Sequence, residues 1–217
     1  MASLAAYIDG FNLYYGMKSK YRRKYMWLDP VDLIRLLRPK DDVVLVRYFT
    51  ALVRNDAEGV HNQLGYLDAM RARNGSRLDV HLGRFKDRTI RACRRCGAPY
   101  RCGCGLEYRS HEEKETDVAL GAMMVADAAL GVSDTSLLVS ADTDMRPALQ
   151  AVRLVVPGQR LYVGMPPGNT KLSRHLLSVG NLGHFFIRES VLRSAQMPAV
   201  VQDATTGRTF QRPDKWR

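Results

Sequence analysis

Short apolar runs alternate with amphipathic stretches along most of the chain, a pattern typical of α/β proteins. We predict a β-strand at each apolar run: residues 4–8, 43–53, 78–85, 135–140, 161–164 and 184–187. The second run is rich in β-branched residues, as expected of a strand that is buried on both faces of a parallel sheet. Helix signals lie between the runs, including a start at Asp29-Pro30 and a stop at Asn74-Gly75. The alternation predicts a mainly parallel sheet flanked by helices.

Two segments depart from this rhythm. Residues 86–111 are basic, poor in apolar side chains and contain all of the cysteines, so we interpret them as an insertion in a domain spanning residues 1–194. A helix is predicted directly after the insertion, from Glu112 to Gly131. Residues 195–217 are polar and contain two prolines, which predicts a loosely held C-terminal arm.

The charge balance favours a polyanionic partner. Thirty-three Lys and Arg residues against 22 Asp and Glu residues give a net charge of +11 and a pI near 9.7. Nucleic acid is the leading candidate for such a surface, although the charge alone is equally consistent with a role in solubility. No apolar run is long enough to span a membrane, and the N-terminus lacks a signal-peptide pattern, so we expect a cytoplasmic protein.

Carboxylates follow two of the predicted strands. Asp9 ends the first strand, and Asp142 and Asp144 come just after the fourth. Asp117 begins an apolar helical stripe and should therefore face the sheet. If the first and fourth strands are neighbours, these side chains meet at one edge, because parallel strands end on the same side. Clustered carboxylates repel one another unless a cation joins them, and oxygen ligands suit Mg²⁺ or Mn²⁺.

Each of these aspartates also has an ordinary structural explanation. Asp9 is suited to a turn before Gly10, Asp142 to bracing a turn, and Asp144 to capping a helix. Asp117 is favoured in a first helical turn by the helix dipole. Their joint placement at one predicted edge is what indicates metal-assisted phosphodiester hydrolysis.

Three separated motifs carry a family resemblance. They are Tyr7-Ile8-Asp9-Gly10-Phe11-Asn12-Leu13, Glu113-Lys114-Glu115-Thr116-Asp117-Val118 and Leu138-Val139-Ser140-Ala141-Asp142-Thr143-Asp144. In this order they resemble the NYN domain family of the PIN-like ribonuclease superfamily, over roughly residues 4–190. The resemblance implies a PIN-like, Rossmannoid three-layer fold with about five mainly parallel strands in the order 3-2-1-4-5.

The same resemblance implies an activity, which is RNA cleavage that depends on Mg²⁺ or Mn²⁺. The metal and catalytic residues would be Asp9, Asp117, Asp142 and Asp144, with Asn12 orienting the metal-bound water or the phosphate. Ala141 stands where members usually have glycine, and Met145 where many have an aromatic residue. Two alternatives stay open: a non-catalytic RNA-binding or adaptor protein, and a toxin-like nuclease controlled by a regulatory protein. A homodimer is also compatible with the sequence.

The cysteines predict a second metal. Cys93, Cys96, Cys102 and Cys104 supply four thiolates, enough for a closed tetrahedral zinc site of structural type. The gap of one residue in the second pair is tighter than usual, and a loop of reduced thiols is the alternative.

Two basic groups are candidate RNA contacts. The first is Lys18, Lys20, Arg22, Arg23 and Lys24, which lie among tyrosines suited to stacking on unpaired bases. The second is Arg91, Arg94 and Arg95 in the insertion, which we interpret as a zinc-stiffened flap that binds phosphates; a solvated spacer is the alternative. Trp27, near the first group, is predicted to pack in the core instead.

Overall fold

A seven-stranded sheet forms the centre of the protein. The computed structural model describes residues 1–54, 56–89 and 109–216. The strands are β1 (Ala2–Asp9), β2 (Asp41–Ala51), β3 (Leu78–Thr89), β4 (Arg109–Lys114), β5 (Thr135–Val139), β6 (Arg160–Met165) and β7 (Leu182–Phe186), in the order β4-β3-β2-β1-β5-β6-β7. All neighbours run parallel except β4, which is antiparallel to β3.

The predicted α/β class is confirmed. Numbered by themselves, the parallel strands have the order 3-2-1-4-5-6, a Rossmann-like arrangement with one strand more than the five that the resemblance implies. The additional strand is β7, which continues the order at the outer edge beside β6.

Seven α-helices lie within the described residues. They are α1 (Gly10–Tyr21), α2 (Pro30–Leu37), α3 (Ala57–Asn74), α4 (Thr116–Ala129), α5 (Arg146–Val155), α6 (Arg174–Leu177) and α7 (Glu189–Ser194). The start signal at Asp29 is confirmed, since its side chain accepts hydrogen bonds from the amides of Val31 and Asp32. The stop at Gly75 is also confirmed, with φ at +54°.

Two apolar cores cover the two faces of the sheet. Along β1 the side chains of Leu4, Ala6 and Ile8 pack with one core, and those of Ala5 and Tyr7 pack with the other, because successive strand residues point to opposite faces. Residues of α1, α2, α3 and α7 join the first core, whereas α4, α5 and α6 join the second. Helices on both faces explain why β1 is buried almost throughout.

The segment around the predicted insertion differs from expectation at both ends. β3 continues to Thr89, and residues 109–114 return beside it as β4, so the predicted helix over 112–131 begins only at Thr116. The acidic stretch before it pairs with a strand instead of forming a first helical turn. The four predicted zinc ligands and the three predicted flap arginines fall at 91–104, outside the described residues, and the zinc-binding insertion stays a prediction.

The C-terminal segment is more regular than the loose arm that its composition predicts. A hairpin of β8 (Val200–Gln202) and β9 (Thr209–Gln211) packs against α3, with Val201 buried. Trp216 follows in a short 3₁₀ turn, with its ring 6.2 Å from that of Trp27. Trp27 is fully buried, as predicted. A few apolar residues are enough to hold this segment, because the apolar surface on which they pack comes from α3 and Trp27, far away in sequence.

Within the described residues, no helix combines the length and apolar character that crossing a bilayer requires.

An ion pair between a buried aspartate and a partly buried arginine ties α4 to the sheet. The guanidinium of Arg47 on β2 donates to both carboxylate oxygens of Asp127, at 2.7 and 2.8 Å. The hydroxyl of Tyr7 on β1 donates to the same carboxylate at 2.9 Å. Burial, together with the Asp127 charge, raises the pKa of Tyr7 far above its ordinary value. Arg47 also contacts Asp79, so the network reaches β3.

We predict that this network contributes substantially to stability. Asp127→Ala should lower the free energy of unfolding by about 3 kcal/mol, because it leaves the partly buried guanidinium without its bidentate partner and the buried Tyr7 hydroxyl without this acceptor. Tyr7→Phe should cost about 1.5 kcal/mol, the value of one hydrogen bond to a charged group. Urea denaturation measures both changes. Asp68→Ala is the matched control: its ion pair with Arg71 is exposed and should contribute less than about 1 kcal/mol. Equal losses for Asp127→Ala and the control would contradict the prediction.

Candidate functional site

Asp9 is the central side chain of the predicted acidic site. It is the last residue of β1 and the N-cap of α1, and it is only 8% exposed. One carboxylate oxygen accepts the backbone N–H of Asn12 at 2.9 Å, and the other accepts the hydroxyl of Ser140 at 3.0 Å. The strand-to-helix junction therefore holds a nearly buried carboxylate in a fixed orientation, with its position set by both β1 and β5.

The turn after β5 is held by side chains from both strand ends. The amide oxygen of Asn12 accepts the backbone N–H of Ala141 at 3.1 Å. The Ser140 hydroxyl accepts the N–H of Asp142 at 3.0 Å, and an Asp142 carboxylate oxygen accepts the N–H of Asp144 at 2.9 Å. In the structure Asn12 thus orients the turn that carries Asp142. Sequence reasoning gave Ser140 no role, although its place between an apolar strand and an aspartate was a usable signal.

An open cleft of about 330 Å³ brings most of the predicted residues together. Its lining includes Asp9, Asn12, Asp117 and Asp142, together with Phe11, Tyr15, Gly16 and Asn169. Asp144 is not part of this lining, but its charge acts on Asp117. Asn169 was missed by sequence reasoning; it follows Pro166-Pro167-Gly168, at the carboxyl end of the next strand, where ligands of such sheets gather.

Gly16 allows a second loop to approach the cleft. A Cβ atom at this position would lie 2.6 Å from the carbonyl oxygen of Pro167. Only glycine therefore lets α1 pack this closely against the loop that carries Asn169.

Burial and neighbouring negative charge raise the pKa values of Asp9 and Asp117 in the cleft. Burial raises the pKa of Asp9, its hydrogen bonds from Asn12 and Ser140 partly oppose that rise, and the charges of Asp117 and Asp142 add to it. The pKa of Asp117 is raised by desolvation and by the charges of Asp142 and Asp144. Electrostatic repulsion thus acts across the cleft, and a bound cation would relieve it.

Asp117 reaches the cleft by a different route from the one predicted. The expectation that it faces the sheet is wrong, because the residue is exposed. α4 begins at Thr116, so Asp117 lies in the first turn and projects from the helix end at the mouth of the cleft.

The donor set suits a hard divalent cation in its chemistry, since the cleft offers carboxylate and amide oxygens. Among the residues that the structure describes, no three His, Cys, Asp or Glu side chains are gathered into a ready-made ligand set. Asp9, Asp117 and Asp142 line the same open cleft without forming a closed set of ligands.

The first predicted basic group lies at the far end of α1. Lys18 and Lys20 are in its last turn, and all five of the predicted basic residues here are exposed. A groove of about 680 Å³ is lined by Lys18, Tyr21, Arg22, Arg23 and Lys24. Lys24 binds Glu189 at 3.3 Å. The acidic cleft and the basic groove thus lie at opposite ends of one helix.

Comparisons with known proteins give few matches. No protein-family model matches the chain. A curated relative from Pseudomonas putida, 6-hydroxy-3-succinoylpyridine 3-monooxygenase HspA, is 26% identical over 226 residues, covering 90% of this chain and 70% of that protein. A crystal structure of a Vibrio parahaemolyticus protein of unknown function matches with a TM-score of 0.53 at 19% identity, covering 87% of this chain and 94% of the other. The latter supports the fold alone.

The raised pKa of Asp9 predicts a specific effect of pH on stability. Because this pKa is higher in the folded than in the unfolded chain, ionisation of Asp9 costs stability as pH rises from the unfolded value to the folded one. In EDTA, Asp9→Asn should therefore be more stable than the unsubstituted protein at pH 7, and the gain should vanish at acidic pH. Asparagine can keep the capping role. Urea denaturation across this range measures the difference; a difference independent of pH would contradict the assignment.

Proposed function

We propose that the protein is a metal-dependent ribonuclease that hydrolyses RNA phosphodiester bonds at the acidic cleft. The observation that carries this proposal is the meeting of Asp9, Asp117 and Asp142 in one open cleft at the carboxyl end of the sheet. The motif resemblance to NYN domains supports it, since these aspartates occupy the family's acidic positions.

Charge favours a phosphodiester substrate. The chain has a net charge of +11, which attracts a polyanion, yet the cleft itself is acidic and would repel phosphate by itself. A divalent cation reconciles these two features, because it neutralises the carboxylates and attracts phosphate oxygens.

Some residues of the cleft would bind an ion, and others position the ion-binding side chains. Asp9, Asp117 and Asp142 would hold Mg²⁺ or Mn²⁺, with Asp144 adding negative charge nearby. When bound, such an ion lowers the pKa of a water ligand and stabilises charge on the phosphate. Ser140 and Asn12 position Asp9 and the Asp142 turn through the hydrogen bonds described above. The polar mouth beside Asn169 leaves one side open to substrate.

The cysteine-rich insertion belongs to the same proposal. Cys93, Cys96, Cys102 and Cys104 would hold a structural Zn²⁺, and Arg91, Arg94 and Arg95 would contact RNA phosphates. The insertion is attached at Thr89 and Arg109, where β3 ends and β4 begins, and β4 then leads through Glu115 into α4, which carries Asp117.

We predict that the purified protein cleaves single-stranded RNA with Mn²⁺ or Mg²⁺ and not in EDTA. Asp142→Asn should lower the cleavage rate at least about 100-fold, because it removes an ion-holding charge. Mn²⁺ should also raise the melting temperature of the unsubstituted protein more than that of Asp142→Asn. Labelled RNA on denaturing gels and thermal unfolding are the measurements.

The matched control is Asp42→Asn, an exposed aspartate near the start of β2 and so at the opposite end of the sheet. It should leave cleavage and the Mn²⁺ effect unchanged. Cleavage that persists in EDTA or in Asp142→Asn would refute the catalytic assignment. RNA binding without cleavage would instead favour the non-catalytic adaptor.

A second candidate is oxygenation of a hydroxylated nitrogen heteroaromatic compound. It is favoured by the match to HspA, whose name describes a monooxygenase and which aligns with 90% of this chain. Oxygen uptake in the presence of such a compound and an added reductant, combined with an absence of RNA cleavage, would select it.

A further inference from the structure

A second cavity of about 320 Å³ lies beside the acidic cleft. It is formed by α1, the end of β2, the first half of α3 and the 3₁₀ turn Asp214–Trp216. Its size is at the lower end of the range for small-molecule sites. The proposed reaction at the acidic cleft does not require this cavity, so the reaction does not explain the aromatic residues that line it.

The walls of the cavity are aromatic. Tyr48 and Tyr66 are each 8% exposed, and the ring of Trp216 lies 5.7 Å from that of Tyr66 at 85°. Phe11 and Tyr15 stack at 6.3 Å on the side toward the acidic cleft. Flat apolar walls of this kind suit a planar ring.

Polar and charged side chains share this lining with the aromatic rings, and they include Arg54, Asp56 and Lys215. Gln63 already binds the backbone of β2, donating to Ala51 and accepting from Val53, and the Tyr66 hydroxyl donates to Leu28. Thr50 and Asn62 also line the cavity. A ring with hydrogen-bonding groups at its edge fits these walls better than a purely apolar one.

The cavity connects the two charged sites. Phe11 and Tyr15 line both the acidic cleft and the cavity, whereas Lys18 and Arg23 line both the cavity and the basic groove. Acidic cleft, aromatic cavity and basic groove therefore follow one another along α1. This order matches the parts of one nucleotide chain, in which phosphates alternate with a base-bearing sugar.

We propose that the aromatic cavity receives one nucleobase of a single-stranded RNA, whose phosphates lie on Lys18 and Arg23 on one side and at the acidic cleft on the other. This inference rests on the proposed function, because it assigns the substrate of the same cleft. A duplex is disfavoured, since its bases are paired and stacked and cannot enter a side cavity.

Tyr15 is the residue on which this assignment is best tested. It is 58% exposed on the wall shared by the cleft and the cavity. Base–aromatic stacking is worth about 1–3 kcal/mol per base, so Tyr15→Ala should weaken nucleotide binding by about 5- to 150-fold. Because the ring is exposed, this variant should fold normally, and thermal unfolding verifies that.

The experiment measures binding of nucleoside monophosphates to the full chain in EDTA, where no cleavage occurs. Calorimetry compares each nucleotide with ribose 5-phosphate, which carries the same charge and lacks the base. We expect the nucleotide to bind at least about tenfold more tightly, and to change the fluorescence of Trp216, with Trp216→Phe as the blank. Phe186→Ala, which removes a partly exposed ring on the edge strand β7, is the matched control and should bind normally.

The outcomes separate the two proposals. Nucleotide binding that Tyr15→Ala weakens, in a protein without nuclease activity, supports the cavity and refutes the ribonuclease. Metal-dependent cleavage that Tyr15→Ala leaves unchanged, together with equal binding of ribose 5-phosphate, refutes the cavity alone. A hydroxypyridine that binds more tightly than any nucleotide would also overturn this inference. Such a ligand has no phosphate, so Lys18 and Arg23 would have no part in binding it.

Discussion

The site depends on holding a carboxylate out of water where two parallel strands end. Burying Asp9 is unfavourable unless its oxygens are bound, and the donors come from α1 and from the residue after β5. That requirement links β1, α1 and β5 into one rigid corner. Asn12 adds a second link between α1 and β5, because its side-chain oxygen accepts the backbone N–H of Ala141 in the turn after β5. The hydrogen bonds that stabilise buried Asp9 therefore also determine the position of Asp142.

Periodicity and turn chemistry predicted the sheet because they are local properties. The helix start at Asp29 and the helix stop at Gly75 could be predicted for that reason, and so could the strand β2, although it is continuously buried only from Tyr48 to Ala51. β4 was not predicted, because its acidic, basic and polar residues contain no apolar alternation. Val201 and Trp216 were likewise missed, since the surfaces they cover lie far away in sequence.

Three of the four predicted aspartates line the acidic cleft, whereas Asp144 lies outside its lining and the geometry was not predictable. Topology alone places Asp9 and Asp142 together, because β1 and β5 are neighbours. The direction of Asp117 depends on where α4 starts, and β4 determines that start. The ion pair of Arg47 and Asp127 was invisible for another reason: its residues are 80 positions apart, and each resembles an ordinary charged surface residue. It fixes α4 laterally, and so contributes to where Asp117 stands.

The 3₁₀ turn that ends at Trp216 has a practical consequence for handling the protein. Trp216 forms part of a cavity wall, whereas Met1 is 97% exposed at the opposite end of β1 from Asp9. Affinity tags and fusion partners are therefore better attached ahead of Met1, on the side of the sheet away from the cleft. A tag joined beyond Trp216 would crowd the mouth of the cavity and change the surface that Trp216 forms.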